Sequence, residues 1–268
     1  IPLGIAFFLD SFKKIFLLKI FYFVLFITLL ESCDISTEKN VIAYSTSRDS
    51  VLFYYNISKD KSISLEQRQK AINKSLIYVS ESDKDTIYSE VLYQKNSIYF
   101  SLKEYDSLLS FNKLLLKTAN GNNAEFILGK QYYLMGYYYS EVAQMADSAF
   151  INYNNSKNYF EKIMDSTRIG RNLLNIGTIQ KDQNDFFGSK ETLTEALPFI
   201  TKKEDSLLIA ALYNTLATDH RKLLNFKEAE AYYIKAIEAT NNPNYSLVYK
   251  NNLAATYIDN KDYIKGIS

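Results

Sequence analysis

The sequence predicts an all-α fold built from repeated pairs of antiparallel helices. Two observations support this prediction. Residues that break helices are rare, with 8 Gly and 3 Pro among 268 residues, while Tyr is abundant at 23. Small residues also recur along the chain at intervals of 41, 40 and 37 residues, at Gly136, Gly177, Ala217 and Ala254. Self-similarity at such a period is typical of proteins in which each repeat is a helix pair stacked on the next pair.

The composition excludes several classes of protein. An apolar fraction of 47% is too high for a disordered chain. A single Cys and a single His exclude a disulfide framework, a zinc site made of several cysteines and a centre of several histidines. No glycine-rich phosphate-binding motif occurs. With 31 basic and 30 acidic residues the net charge is +1, which argues against a nucleic-acid partner. We therefore expect no cofactor, no metal and no catalysis in this stretch.

The amino-terminal segment 1–33 is predicted to be an export signal. Lys13, Lys14 and Lys19 form its basic start, and an uninterrupted apolar run of 11 residues follows at 20–30. Such a run fits the apolar region of a secretory signal, whereas a membrane-spanning helix needs about 20 residues. The alternative is a signal anchor that begins near Ile15 and remains in the membrane.

The only cysteine, Cys33, directly follows this run. The sequence Leu30-Glu31-Ser32-Cys33 resembles a bacterial lipobox, in which the cysteine is lipidated and becomes the mature amino terminus; Glu31 departs from the usual small or apolar residue. The resemblance implies an exported, membrane-associated lipoprotein of the periplasm or cell envelope. The acyl chains on the cysteine would anchor it, because each methylene group buried in the bilayer adds to the free energy of membrane binding. Without residues 1–33 the chain has 28 basic and 28 acidic side chains.

The mature chain is predicted to begin with a polar tether and weak repeats. Residues 34–44 are mostly polar, and 45–129 is interpreted as degenerate helical repeats. Ser64, followed by Leu65 and Glu66, marks a helix start at which a serine side chain can cap the first turn. Two more helices are expected in 91–117, joined near 101–105. With the clearer repeats downstream, we expect about four complete helix pairs and a partial fifth.

The segment 130–268 carries the clearest repeats. In the best of them, Leu216-Ala217 is followed by Phe226, Ala229, Tyr233, Ala236 and Pro243. This pattern resembles the tetratricopeptide repeat, and a small residue on each helix allows the two helices to approach closely. The resemblance implies a right-handed superhelical solenoid. The last repeat reads as truncated at Ser268, which suggests the front part of a longer protein.

The resemblance also implies a concave groove, lined by the first helices, that holds a protein or peptide partner. Tyr132 and Tyr139 are expected to be buried against Gly136, with Tyr133 and Tyr137 facing the groove. Lysine, arginine and amide side chains could bind a carboxylate or a peptide backbone. The predicted groove residues are Lys130, Tyr133, Tyr137, Arg171, Lys181, Asn214, Thr218, Arg221 and Asn251. The alternative is that these polar residues are merely solvated.

Two local patterns could suggest other chemistry. No second histidine and no nucleophile motif stands near His220 in the sequence, so we interpret it as a structural or half-exposed imidazole. Segment 182–185 opens like a calcium loop, but the glycine at Gly188 is one place late and Leu193 stands where the bidentate glutamate belongs. We therefore predict an ordinary turn between helices, matched by 259–262 in a later repeat.

The predicted function is protein–protein interaction by a lipid-anchored scaffold. One alternative is the sensory amino-terminal region of a membrane signalling protein, a histidine kinase or a transcriptional regulator. The segments Leu173–Gly177 and Thr192–Leu197 resemble repeat regions that precede the kinase in Bacteroidetes-type sensors. A third reading, a lipoprotein of polysaccharide uptake, lacks the aromatic inserts that it would need. Membrane attachment is expected through the lipid or a signal anchor.

Overall fold

The computed structural model describes residues 47–79, 87–119, 121–200 and 206–267. Its contacts divide the chain into two compact units, Ile1–Asp49 and Ser50–Ser268, and nearly all of the described residues belong to the second. The predicted signal segment 1–33, its Cys33 and the tether 34–44 lie outside the described residues. No helix in the described part of the chain is both long enough and apolar enough to span a bilayer.

The described residues form helices and contain no strand, which confirms the all-α prediction. A short π-helical turn, Tyr138–Val142, follows the fifth helix, and a 3-10 turn, Leu197–Phe199, follows the eighth. The helices are α1 (Ser47–Lys59), α2 (Leu65–Tyr78), α3 (Ile87–Leu102), α4 (Tyr105–Thr118), α5 (Ala124–Tyr137), α6 (Ala146–Lys162), α7 (Ser166–Asp182), α8 (Phe186–Ala196), α9 (Ser206–Lys222), α10 (Phe226–Ala239), α11 (Pro243–Asp259) and α12 (Tyr263–Ile267).

These helices form one more pair than the sequence predicted. Five pairs of long helices, α1/α2 to α9/α10, are followed by α11 and the short α12 within the described residues. The predicted helix start at Ser64 is confirmed: Ser64 accepts a hydrogen bond from the Gln67 backbone N–H, and the Gln67 side chain accepts one from the Ser64 N–H. The undercount came from 45–129, where few small residues mark the approach of one helix to another.

Tight turns reverse the chain between most of these helices. In the described residues, six non-glycine residues have φ between 53° and 65°, and the next helix begins two residues after each: Lys103, Gln144, Met164, Asn184, Leu224 and Lys261. A single left-handed residue is a common way to end a helix. Segments 182–185 and 259–262 are therefore turns between helices, as predicted.

Close approach of the paired helices follows from the small residues. A Cβ atom added to Gly136 would lie 2.7 Å from Tyr153 Cδ1, and one added to Gly177 would lie 2.6 Å from Leu193 Cδ2. Ala217 is fully buried against Ala229 and Tyr233. The recurring small positions therefore do allow the helices of each pair to pack closely, as the sequence predicted.

Stacking of the pairs builds a continuous solenoid. From α5 onwards each helix packs on the next one, and first helices of neighbouring pairs also contact each other: α3 with α5, α7 with α9, and α9 with α11. The largest apolar cluster runs from Phe160 of α6 to Tyr249 of α11. Direct contact between successive first helices is the arrangement expected when they share one face of the array.

Candidate functional site

A cavity of about 160 Å³ lies where the first helices of three successive pairs meet. Side chains from α3, α5 and α7 form most of its wall, and one ring from the second helix α6 completes it. The lining residues are Tyr93, Lys130, Tyr133, Phe160, Arg168 and Arg171. The cavity therefore combines three cationic side chains with three aromatic rings.

Glycine explains how α6 reaches this site. A Cβ atom added to Gly129 would lie 2.9 Å from Cζ of Phe160, so only a residue without a side chain leaves room for this ring. Ser156 of α6 donates a hydrogen bond to the Gly129 carbonyl at 2.8 Å, and both groups are buried. The close contact of α5 with α6 thus places Phe160, itself 1% exposed, at the cavity wall.

Lys130 is held against aromatic rings. Its Nζ lies 3.9 Å from the centroid of the Tyr93 ring and 5.3 Å from that of Phe126. Burial, followed by the charge of Arg168, lowers the pKa of Lys130 to about 8, although Glu90 acts in the opposite direction. The ammonium is therefore partly desolvated, and added negative charge would stabilise it.

Arg168 is oriented by the start of α7. The Asp165 side chain caps this helix by accepting a hydrogen bond from the Arg168 N–H at 3.1 Å, and it also pairs with the guanidinium. The guanidinium carbon lies 4.8 Å from the Phe126 centroid and 5.5 Å from the Phe160 centroid. Because Arg171 follows one turn later on the same helix, both arginines reach the cavity.

Three of the predicted groove residues meet in this cavity: Lys130, Tyr133 and Arg171. Tyr133 also packs edge-on against Tyr153, with the centroids 5.5 Å apart. Tyr137 is 44% exposed and lies outside the cavity wall, beside the ring of Phe100 at 5.6 Å. The predicted groove residues therefore fall into two groups: those that line the cavity and those that lie elsewhere on the array.

The prediction that Tyr132 and Tyr139 are fully buried was wrong. Tyr132 and Tyr139 are half-buried, not buried. Tyr132 stacks on Tyr159 with 5.6 Å between centroids, and Tyr139 packs beside the cluster that contains Tyr153. The physical reason is that the ring of Tyr153, from the partner helix, occupies the space above Gly136.

Most of the remaining predicted residues make contacts between helices. Asn214 accepts a hydrogen bond from Asn252 at 3.0 Å, and Arg221 pairs with Asp259 at 2.6 Å; both contacts join α9 to α11. The Thr218 hydroxyl lies 3.0 Å from the Tyr233 hydroxyl on α10. Lys181 pairs with its neighbour Asp182 at 3.1 Å, and Asn251 is exposed. Their role in binding stays a prediction.

His220 has the structural environment that was predicted. It is half-buried and stacks on Tyr232, with centroids 5.4 Å apart. Burial lowers its pKa, so the neutral imidazole is favoured. No group of three His, Cys, Asp or Glu side chains is arranged for a metal ion in the part of the chain that the structure describes.

Sequence reasoning missed Tyr93, Phe160 and Arg168 as members of the site. Tyr93 belongs to the repeats that align poorly, and Phe160 contributes from a second helix. Arg168 could have been found, because it stands one turn before Arg171 on the same helix and a shared face follows from that spacing. Asp219, a fully buried carboxyl group on α9, was also missed beside the more conspicuous His220.

No protein-family model and no curated protein matches the chain. Solved structures do match it. The apo form of RapI is 14% identical with a TM-score of 0.69, and the match covers 93% of this chain and 72% of RapI. A STAND protein with a tetratricopeptide repeat sensor from Pyrococcus horikoshii is 18% identical with a TM-score of 0.66. That match covers 79% of this chain and 33% of the STAND protein.

A Rap protein complexed with Competence and Sporulation Factor also matches. It is 15% identical with a TM-score of 0.52, and the match covers 81% of this chain and 61% of that protein. At these identities the likeness concerns the fold, so the expected absence of catalysis stays a prediction. Together with the paired helices and their small contact residues, these matches show that the chain has the tetratricopeptide-type helical-repeat fold.

Proposed function

We propose that the chain binds a protein or peptide partner along the face formed by its first helices. The observation that carries this proposal is the cavity at which Lys130, Tyr133 and Arg171 meet from two successive first helices. Tyr137, one turn after Tyr133 on α5 and outside the cavity wall, adds an exposed aromatic ring to the same helix. Aromatic and arginine side chains in a partly desolvated pocket are the residue types that contribute most to binding at protein interfaces. The similar Rap structure that contains Competence and Sporulation Factor supports the proposal by analogy.

Selection from a displayed library of random peptides tests this function. Peptides selected on the immobilised protein should bind the variant Lys130→Gln/Tyr137→Ala at least tenfold more weakly. The matched control is Lys162→Gln/Phe187→Ala, which likewise removes one lysine charge and one aromatic ring, at exposed positions of the second helices α6 and α8. Equal loss of binding in both variants, or no selected peptide at all, would contradict the proposal.

We also propose that the protein is exported and held at a membrane by lipid on Cys33. The support is the sequence alone: a basic start, an apolar run of 11 residues and a single cysteine directly after it. Cys33→Ala should remove the lipid mass and shift the protein out of the membrane fraction. Ser36→Ala, three residues later, should leave both unchanged. A wild-type protein without added lipid mass would count against this anchor.

A sensory role in a signalling protein is the second candidate. The observation that favours it is the similarity to a STAND protein whose repeats are named as a sensor. The reading frame after codon 268 tests it directly. An apolar run of about 20 residues followed by a kinase or regulator domain is expected under this candidate. A stop codon immediately after codon 268 would exclude it.

A further inference from the structure

The wall of the cavity between α3, α5 and α7 is mostly apolar. Tyr93, Tyr133 and Phe160 contribute aromatic rings to it. The lysine and arginine side chains that line the cavity add hydrocarbon stems as well as charged ends. Because the transfer of apolar surface out of water is favourable, an occupant that covers this wall with apolar atoms of its own should be stabilised there.

Two cations at this site lie on the faces of aromatic rings. Lys130 Nζ is 3.9 Å from the Tyr93 centroid and 5.3 Å from the Phe126 centroid. The Arg168 guanidinium carbon is 4.8 Å from the Phe126 centroid and 5.5 Å from that of Phe160. All four distances lie within the range of about 6 Å over which a cation is attracted to a ring. A further ring in the cavity would give these cations an additional partner of the same kind.

The size of the cavity suits a single six-membered ring. Its volume of about 160 Å³ is similar to that of a protein cavity that holds benzene, about 150 Å³. The Phe160 part of the wall has little freedom to retreat, because this ring is 1% exposed and lies directly above Gly129. Tyr133 already makes an edge-on contact with Tyr153 at 5.5 Å, and a bound ring could contact the cavity rings in the same geometry.

We propose that this cavity binds the aromatic ring of a phenylalanine or tyrosine side chain of the peptide partner. The inference rests on the proposed function, because the ring belongs to the bound partner. An aliphatic side chain of the same size would cover the same apolar wall, but it lacks the electron-rich face that attracts Lys130 and Arg168. A carboxylate could reach the cations, but it would leave the apolar wall uncovered.

Desolvation of Lys130 strengthens its attraction to a ring. Burial is the main reason that the pKa of Lys130 is lowered to about 8, so its ammonium has already lost part of its hydration. Attraction between a cation and a ring corresponds to about twofold in affinity at an exposed site and to about thirtyfold when the cation is desolvated. We therefore expect a phenyl side chain to bind at least about fivefold more tightly than a cyclohexyl side chain.

Titration followed by nuclear magnetic resonance tests the inference with three probes that differ in one side chain. N-acetylphenylalanine amide should bind more tightly than N-acetylcyclohexylalanine amide, which has a similar shape but no aromatic face, and more tightly than N-acetylglutamic acid amide, which carries a carboxylate. Lys130→Gln should at least halve the preference for phenyl over cyclohexyl, whereas Lys130→Arg should retain it. Lys162→Gln, which removes a lysine 4.6 Å from the Tyr159 ring at an exposed site on α6, should leave the preference unchanged.

Three outcomes would overturn the inference. The first is equal binding of the phenyl and cyclohexyl probes, which would make the cavity a purely apolar pocket. The second is tighter binding of the glutamic acid probe, which would make it a carboxylate site. The third is no detectable binding of the phenyl probe. Selected peptides that still bind the protein would leave the proposed function intact in each case. Circular dichroism of each variant separates lost binding from lost folding.

Discussion

Asp219 is a carboxyl group buried between α8 and α9. It is 0% exposed, it accepts a hydrogen bond from Ser189 Oγ at 2.6 Å, and its second oxygen has no hydrogen-bond partner among the described residues. Burial raises its pKa from 3.8 to about 7, and the charges of Asp182 and Asp185 act in the same direction. The Ser189 hydrogen bond and the charge of Lys181 oppose the shift.

The sign of this shift predicts how stability depends on pH. Between pH 4 and pH 7 the folded chain retains the Asp219 proton that the unfolded chain has released. The contribution of Asp219 is therefore fully present below pH 4 and is lost as pH rises through 7, by roughly 2–4 kcal/mol. Asp219→Asn should be more stable than the wild type at pH 8 and nearly equal to it at pH 4. Urea unfolding followed by circular dichroism measures the difference.

Two comparisons isolate Asp219 from its neighbours. Burial lowers the pKa of the adjacent His220, so its contribution is lost as pH falls, opposite in sign, and it cancels when variant and wild type are subtracted. Asp182→Asn removes a nearby exposed carboxylate and should leave the slope of stability against pH almost unchanged. This assignment would be contradicted if the wild type became more stable between pH 5 and pH 7 and if Asp219→Asn showed the same slope of stability against pH.

At the scale of the helix pair, Gly177 sets how closely α7 approaches α8. Replacing glycine by alanine inside a helix normally stabilises it by about 1 kcal/mol. Here the added Cβ would lie 2.6 Å from Cδ2 and Cγ of Leu193, which is fully buried and has little room to move. Gly177→Ala should therefore destabilise the protein by about 1–3 kcal/mol, measured by urea unfolding.

A double variant shows whether Leu193 is the cause. Leu193→Ala alone should cost about 2–5 kcal/mol because it leaves a cavity. In that background Gly177→Ala should become neutral or stabilising, since the added methyl group occupies part of the space. Equal costs of Gly177→Ala with and without Leu193 would mean that the contact does not limit the approach of the helices.

The helix pairs could be predicted from sequence because one local rule repeats along the chain. A small residue such as Gly136 or Ala217 must meet a larger residue from the partner helix, so its spacing reports the period of the array. The cavity could not be predicted in the same way. Tyr93 and Arg168 are 75 positions apart, and they meet only because three helix pairs stack. The π-helical turn Tyr138–Val142 likewise shifts side-chain directions that a regular period assigns to fixed faces.

At the scale of the whole array, burial is unevenly distributed along the chain. Helices α7 and α11 each contain 17 residues, but α7 buries eight of them and α11 buries only Tyr249 and Thr256. Large side chains on α11 and α12 are open to solvent, including Leu247 at 59% and Ile264 at 83%. In repeat proteins the free energy of unfolding is approximately the sum of the stability of each repeat and of its interfaces with the neighbouring repeats. A helix pair with fewer buried contacts can therefore open while the rest of the array stays folded.

Hydrogen exchange should therefore be graded along the array. We expect amides of α11 and α12 to exchange at least 100-fold faster than those of α7, because their opening exposes little apolar surface. Arg221→Gln, which removes the pair with Asp259 between α9 and α11, should accelerate exchange in α11 and leave α7 unchanged. Mass spectrometry of peptic fragments resolves the two regions. If the amides of α7 and α11 were equally protected from exchange at every urea concentration, the array would instead unfold as a single cooperative unit.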